Sequence, residues 1–270
     1  MIGLILGDTN IGHIIIKKIK SLKINYTIVD ISDKKIFKKD KNSYSLTIGQ
    51  LGKAISILKK NNCKKVIFAG KVARPNIKKT KFDFKALFYL PKILKSFKKG
   101  DAFIVKEIIK IFNKEKLKVL NQTHFNPELL MTKGIFTKKK VDKSSMKDIF
   151  IGKKVLDDLK LNNVGQAIVV KNKQIIVVED HNGTDQMLSR AYKVIKNLPK
   201  KYKREGILLK LPKTNQDLRI DLPTIGIKTL KKCSKIGLKG IVTKSKQNIF
   251  LDKNKSINFA NKRKMFICAI

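Results

Sequence analysis

Tryptophan is absent from this chain of 270 residues, and histidine and cysteine occur three times each. Cys63, Cys233 and Cys268 are odd in number, far apart and without a C-x-x-C pair. A disulfide framework and a structural zinc site are thereby excluded, and a reducing cytoplasm is expected. His13, His124 and His181 are scattered, which excludes a two-metal cage built on several histidines. No apolar run approaches the ~18 residues of a membrane span. The chain opens apolar (Met1 to Leu6) and turns basic later (Lys17, Lys18), the reverse of a secretory signal, so no signal peptide is expected. The sequons at Asn121 and Asn182 then carry no glycan meaning.

Acidic residues are scarce as well: 20 Asp and Glu against 62 Lys and Arg leave a net charge of +42. Such a field suits a polyanion, either nucleic acid or anionic lipid headgroups. Lysine is spread along the chain instead of gathered in an arm, together with abundant Ile and Asn, as an AT-rich genome would write it. Specific reading of nucleic acid is not implied, whereas attraction to an anionic membrane surface is physically expected.

What is present is a 42% hydrophobic chain long enough for one large domain or two ordinary ones. Strands at Ile2 to Leu6, Tyr26 to Ile31 and Val66 to Ala69 alternate with helical patterns up to Leu22 and over Gln50 to Lys60. That alternation predicts a Rossmann-like, doubly wound parallel sheet over residues 1–132. A lysine-rich stretch, 133–143, reads as a linker. Residues 144–270 read as a mixed α/β domain: a helix opened by Ser145 and Asp148, a hairpin flanking Lys171-Asn172-Lys173, and a helix from Asp185 to Asn197 capped by Thr184. A strand Gly206 to Leu211 follows, then a helix near Lys228 to Ile236, strands near Gly240 and Ile249, a helix around Ser256 and a closing strand from Met265. The fold class is therefore α/β throughout.

Four places carry possible chemistry. The first turn, Gly7 to Gly12, lacks the G-x-G-x-x-G spacing, and Asp30 alone is a weak ribose-binding signal. Gly70-Lys71-Val72-Ala73-Arg74 sets a glycine and two cations at a strand tip, which suits an anion-binding loop or an ordinary basic turn. Gly183-Thr184-Asp185 opens a helix whose free N–H groups suit phosphate, with Asp185 as metal ligand or dipole partner. Gln216-Asp217-Leu218-Arg219-Ile220-Asp221-Leu222-Pro223-Thr224-Ile225-Gly226 alternates charged and apolar residues between Pro212 and Pro223, and so predicts an extended segment with Asp217, Arg219 and Asp221 on one face. That row reads either as a self-neutralised solvated face or as carboxylates holding a hard cation beside an arginine that grips phosphate. The stretch Ile77 to Gly100 interleaves Phe82, Phe84, Leu87, Phe88, Ile93, Leu94 and Phe97 with lysines. It reads as a helix core face or as a segment meeting a membrane or an acyl chain.

In order, Gly70 to Pro75, Val164-Gly165-Gln166-Ala167, Gly183 to Leu188 and Gln216 to Gly226 resemble the two-domain UDP-2,3-diacylglucosamine pyrophosphatases of the lipid A pathway. The likeness covers nearly the whole chain. It implies a hydrolase that splits UDP-2,3-diacylglucosamine, bound in the cleft between the two domains, into UMP and 2,3-diacylglucosamine 1-phosphate (lipid X), with water attacking the sugar-side phosphorus. It further implies a Mg2+ cofactor, with Mn2+ as an alternative ion, and a peripheral place on the cytoplasmic face of the inner membrane. A homodimer is a further expectation, and nucleic acid is not an expected partner. By motif position, Asp217, Arg219 and Asp221 are the candidate catalytic residues, and Asp185, Asp217 and Asp221 the candidate metal ligands. Gly70, Lys71, Arg74, Gly183, Thr184, Gln216 and Thr224 are candidate substrate-binding residues. Two departures stand out: Asn182 replaces the family's usual glutamate before Gly-Thr-Asp, passing any role of that acid to Glu179 or Asp180, and Ala102 replaces the second aspartate of Gly-Asp-Asp. The alternatives from other classes are a basic nucleic-acid- or nucleotide-binding protein without hydrolase activity and a nicotinamide-dependent oxidoreductase.

Overall fold

The computed structural model describes residues 1–72, 76–97, 100–160, 165–197, 205–214 and 216–270. The chain is α/β and divides into two compact units: residues 1–127 with 217–221, and residues 128–216 with 222–270.

In the first unit, β1 (Ile2–Leu6), β2 (Tyr26–Asp30), β3 (Ser43–Ser45), β4 (Lys65–Ala69) and β5 (Lys118–Leu120) form a parallel sheet in the order β3-β2-β1-β4-β5. The connections are α1 (Ile11–Ser21), α2 (Leu51–Lys60), α3 (Phe84–Phe97) and α4 (Asp101–Lys114). Ile5, Val29 and Val66 share one core with Leu58, Ile109 and Phe112. Leu4, Leu6, Ile28 and Ile67 alternate with them in sequence, lie on the opposite sheet face and are fully buried. Burial on both faces explains why these strands read as continuous apolar runs. Strand order reverses between β1 and β4, so the ligand crevice of an open α/β sheet belongs at their C-terminal tips.

In the second unit, β6 (Gly134–Ile135), β7 (Ala167–Lys171), β8 (Gln174–Val178), β9 (Ile207–Lys210), β11 (Gly240–Thr243) and β13 (Phe266–Ala269) form a mixed sheet in the order β6-β13-β11-β9-β7-β8. A separate parallel pair joins β10 (Thr224–Ile225) to β12 (Ile249–Phe250). Period-two alternation divides the core. Val169, Leu208, Ile241 and Ile267 pack with α6 (Thr184–Lys196), α7 (Ile227–Ile236) and α8 (Lys253–Lys262), whereas Ile168, Leu209, Val242 and Phe266 pack with α5 (Lys143–Lys160). Cys233 sits in the first of these cores, and burial pushes its thiol up to about 12, so it is an inert space-filler.

Several local expectations are corrected. Residues 217–221 are a turn, not a strand: the Asp217 carbonyl accepts from Ile220 and Asp221 N–H at 3.1 and 2.9 Å, and the Asp217 carboxylate accepts from Arg219 N–H at 3.0 Å. A local side-chain bond of this kind competes successfully with extended backbone. Thr184 is not the cap of α6; Gly183, at φ +84°, precedes the helix and Thr184 is its first residue. At α5 the capping carboxylate belongs to Asp142, which accepts from Ser145 N–H at 2.7 Å, while Asp148 reaches Lys173 N–H. Residues 134–135, in the stretch read as a linker, pair antiparallel with β13.

Candidate functional site

At the C-terminal end of the first unit's sheet, β1 and β4 leave parallel pairing and are clamped together. Gly7 N–H donates to the Ala69 carbonyl at 2.9 Å, and Asp8 and Lys71 exchange backbone bonds of 2.7 and 2.6 Å. Gly70 makes the turn at φ +94°, where a Cβ would stand 2.7 Å from the Gly7 oxygen. Only glycine suits that backbone. Thr9 follows at φ +126°, an uncommon conformation for a β-branched residue and of the kind found at binding sites. Gly70 and Lys71 are therefore displayed, exposed, at the tip where strand order reverses.

Beside them sits the Asp217 loop. β5 ends at Leu120 opposite Ile67, so Gln122 falls at the register of Ala69. Buried Gln122 holds the loop twice, its backbone N–H on the Arg219 carbonyl and its Nε2 on the Ile220 carbonyl, each at 2.8 Å, while Ile220 packs on the sheet core. Arg219 then folds back on Asp217 through Nε at 3.0 Å and Nη2 at 2.7 Å. The guanidinium holds the Asp217 carboxyl below its usual value, and Lys106 of α4 adds to the effect. The stability this pair contributes is present above the unfolded carboxyl value of about 4 and is lost as pH falls through the depressed folded value. Nη1 is not engaged by Asp217. Sequence periodicity thus grouped Asp217 with Arg219 for the wrong local reason, and it gave no sign of Gln122 or Lys106.

Replacing Gln122 with Leu leaves the part-buried Ile220 carbonyl without its Nε2 donor. We expect Gln122→Leu to lose about 1–3 kcal/mol in urea unfolding and to lower kcat.

A second polar edge lies in the second unit, at the C-terminal end of β9. Register brings Lys210 opposite Ala167 and Thr243, while Val178 opposite Ile168 sets Glu179 at the same end. Glu179, buried, accepts from Gln166 N–H at 3.0 Å and from the Thr184 hydroxyl at 2.7 Å, which ties the start of α6 to the sheet. Gln216 Nε2 donates to Gln166 Oε1 at 3.3 Å, and Lys210 Nζ to the Thr224 carbonyl at 2.9 Å. Gly183, Thr184, Gln216 and Thr224 are thereby gathered with Gln166 and Glu179, both named in the sequence motifs, and with Lys210, which no motif singled out. The buried acid held by Thr184 is Glu179, whereas Asp180 is turned to Asn182 N–H and to Arg190. Asp185 is exposed and ion-paired with Lys232 at 2.7 Å.

Asp217, Arg219, Asp221, Gly70 and Lys71 thus belong to the first unit, and Asp185, Gly183, Thr184, Gln216 and Thr224 to the second. Arg74 lies outside the described residues, as do Ala73, Pro75 and Val164 of the motifs. Among the described residues no three His, Cys, Asp or Glu side chains form a group that would by itself hold a metal ion. Asp30, a weak candidate for a ribose, instead accepts from Ser32 and Phe37 N–H, each at 3.0 Å, and so holds the following loop with Phe37 packed on Gly12. None of the described helices is long and apolar enough to cross a membrane.

Comparison with known proteins accords with the arrangement. The UDP-2,3-diacylglucosamine pyrophosphatase LpxI of Caulobacter vibrioides is 30% identical over 228 residues, spanning 83% of this chain and 80% of that protein. Residues 1–129 match the LpxI N-terminal domain and residues 132–268 the LpxI C-terminal domain. With both domain models matched in order and the Asp217 loop, the Gly70 turn and the Glu179–Thr184 edge in place, this chain belongs to the LpxI family.

Proposed function

We infer that this protein is a hydrolase that cleaves the pyrophosphate bond of UDP-2,3-diacylglucosamine, releasing UMP and 2,3-diacylglucosamine 1-phosphate. The observation that carries the reading is the Asp217–Arg219 pair held by Gln122 at the switch-point end of a parallel sheet, in a chain of the LpxI family. Cleavage of a phosphoric anhydride needs negative charge on the phosphoryl oxygens offset and the reacting groups oriented. Arg219, fixed in one orientation by Asp217, presents Nη1 to a phosphoryl oxygen; Lys71 and Arg74 supply further positive charge. Water adds to the sugar-side phosphorus as the bridging P–O bond breaks, so UMP leaves and the entering oxygen stays on the sugar phosphate. Thr184, Gln216 and Thr224 contribute hydrogen-bonding groups to the nucleotide-sugar.

A magnesium ion fits the donor chemistry in a particular form. Mg2+ is commonly bound by one or two carboxylates together with substrate phosphates. Asp217, Asp221 and Asp185 carry hard oxygen donors of that kind, Asp217 already paired with Arg219 and Asp185 with Lys232. When bound, the ion would neutralise charge on the diphosphate.

The test is turnover of UDP-2,3-diacylglucosamine by the purified protein in labelled water. We expect UMP and lipid X as products, heavy oxygen in the sugar phosphate and not in UMP, abolition of turnover by EDTA, and recovery with Mg2+ or Mn2+. Absence of hydrolysis under all metal conditions overturns the reading, and turnover that survives EDTA overturns the metal assignment alone.

A further inference from the structure

Helix α3 carries an exposed apolar face that the site does not use. Phe84 is 88% exposed, Leu87 52% and Phe88 64%, at positions i, i+3 and i+4, with exposed Pro91 continuing the row. The other side of the helix is anchored: Ala86 and Tyr89 are buried. Asp83 fastens its first turn, accepting from Ala86 N–H at 2.8 Å and from Gly52 and Lys53 N–H at 3.1 and 2.9 Å, which joins it to the start of α2. Glu115 takes Lys59 and Lys85, both at 2.6 Å. The face therefore belongs to a rigidly held helix.

The same contacts decide the local charge. Asp83 is occupied by backbone N–H groups and Glu115 by two lysines, so the acids of this region are spent internally. Lys78, Lys79, Lys81, Lys92 and Lys95 remain exposed around the apolar row. An in-plane helix that enters the headgroup layer has this build: bulky apolar residues on one face, ringed by cations. We propose that the outer face of α3 is the protein's docking surface for an anionic lipid bilayer, with Phe84, Leu87 and Phe88 entering the interface and the surrounding lysines meeting the headgroups. The proposal gives a location to the membrane partner expected from the substrate reading, but the binding it describes requires no substrate.

Because the chain contains no tryptophan, Leu87→Trp supplies a single fluorescent reporter at the centre of the face. The Leu87→Trp protein, mixed with vesicles of phosphatidylcholine alone or with phosphatidylglycerol, should show a blue-shifted emission only with the anionic vesicles, weakening as salt rises. In co-sedimentation, Phe84→Asp/Phe88→Asp should lose at least about tenfold in partitioning, with circular dichroism and melting unchanged because both side chains are exposed. Lys92→Gln/Lys95→Gln should weaken binding and flatten its salt dependence. The proposal is overturned if the wild type does not bind anionic vesicles, or if the double aspartate variant binds them as the wild type does. It is equally overturned if that variant keeps vesicle binding but loses affinity for detergent-dispersed substrate, which would make the face an acyl-chain site, or loses only self-association, which would make it a contact between copies. Failure here leaves the hydrolysis test above untouched, since vesicle binding is read without substrate.

Discussion

Asp217→Asn is expected to fold normally and to lose about 100- to 1,000-fold in kcat, with a smaller change in KM. The amide keeps the shape and can still accept from Arg219 N–H, but it removes the negative charge that pins the guanidinium and that would face the cation. Arg219 is 42% exposed and its charge remains partly solvated, so the fold tolerates the loss. Arg219→Lys should lower kcat strongly as well, because an ammonium cannot grip Asp217 through two nitrogens and reach phosphate with a third. The two substitutions together should cost far less than the product of their separate effects, since Asp217 acts largely through Arg219. A steady-state comparison of the single and double variants decides the matter. If Asp217→Asn turns over within about twofold of the wild type, the assignment fails.

Gly7→Ala is expected to give the largest stability effect, about 3 kcal/mol or more in urea unfolding. A Cβ at Gly7 would stand 2.3 Å from the Lys71 carbonyl oxygen, and that oxygen is backbone held in a bridge to Asp8. Neither tip can yield without breaking the clamp between β1 and β4. Gly70→Ala adds a conformational penalty to a clash of the same kind, its φ being +94° and its Cβ 2.7 Å from the Gly7 oxygen. Both variants should also weaken substrate binding through displacement of Lys71. A midpoint unchanged in urea would show that the tips move more freely than this geometry allows.

Elements with strong internal patterns were legible in the sequence. β1, β2, β4, α1, α2 and the β7–β8 hairpin follow directly from apolar runs, helical spacing and the Lys171-Asn172-Lys173 turn. The short strands β3, β5 and β6 were not, because two or three residues carry no measurable period. The 217–221 segment was misread as extended for a physical reason. Its alternation of polar and apolar residues is real, but the Asp217 carboxylate bonds to Arg219 N–H and so closes a turn, and a side-chain-to-backbone bond leaves no mark on hydropathy. The same limit hid Gln122 and left the choice between Glu179 and Asp180 open. Gln122 and Glu179 are polar residues, each beside the end of a strand, and their meaning comes from partners 98 and 5 residues away, Ile220 and Thr184. The motifs named most of the residues now gathered at the two polar edges, while the supports beneath them needed three-dimensional register.

The five residues 217–221 leave the second unit's chain and complete the first, so the boundary at 127 and 128 is not a clean cut. A gene divided there would yield an amino-terminal half whose hydrophobic interior misses the Ile220 side chain and whose Gln122 has nothing to grasp, while the other half would carry a useless stub of aspartates and arginine. Neither product is a module that evolution or an engineer could shuffle independently. The 217–221 loop is thus inherited only with both halves, which ties the first unit's interior to a single uninterrupted polypeptide.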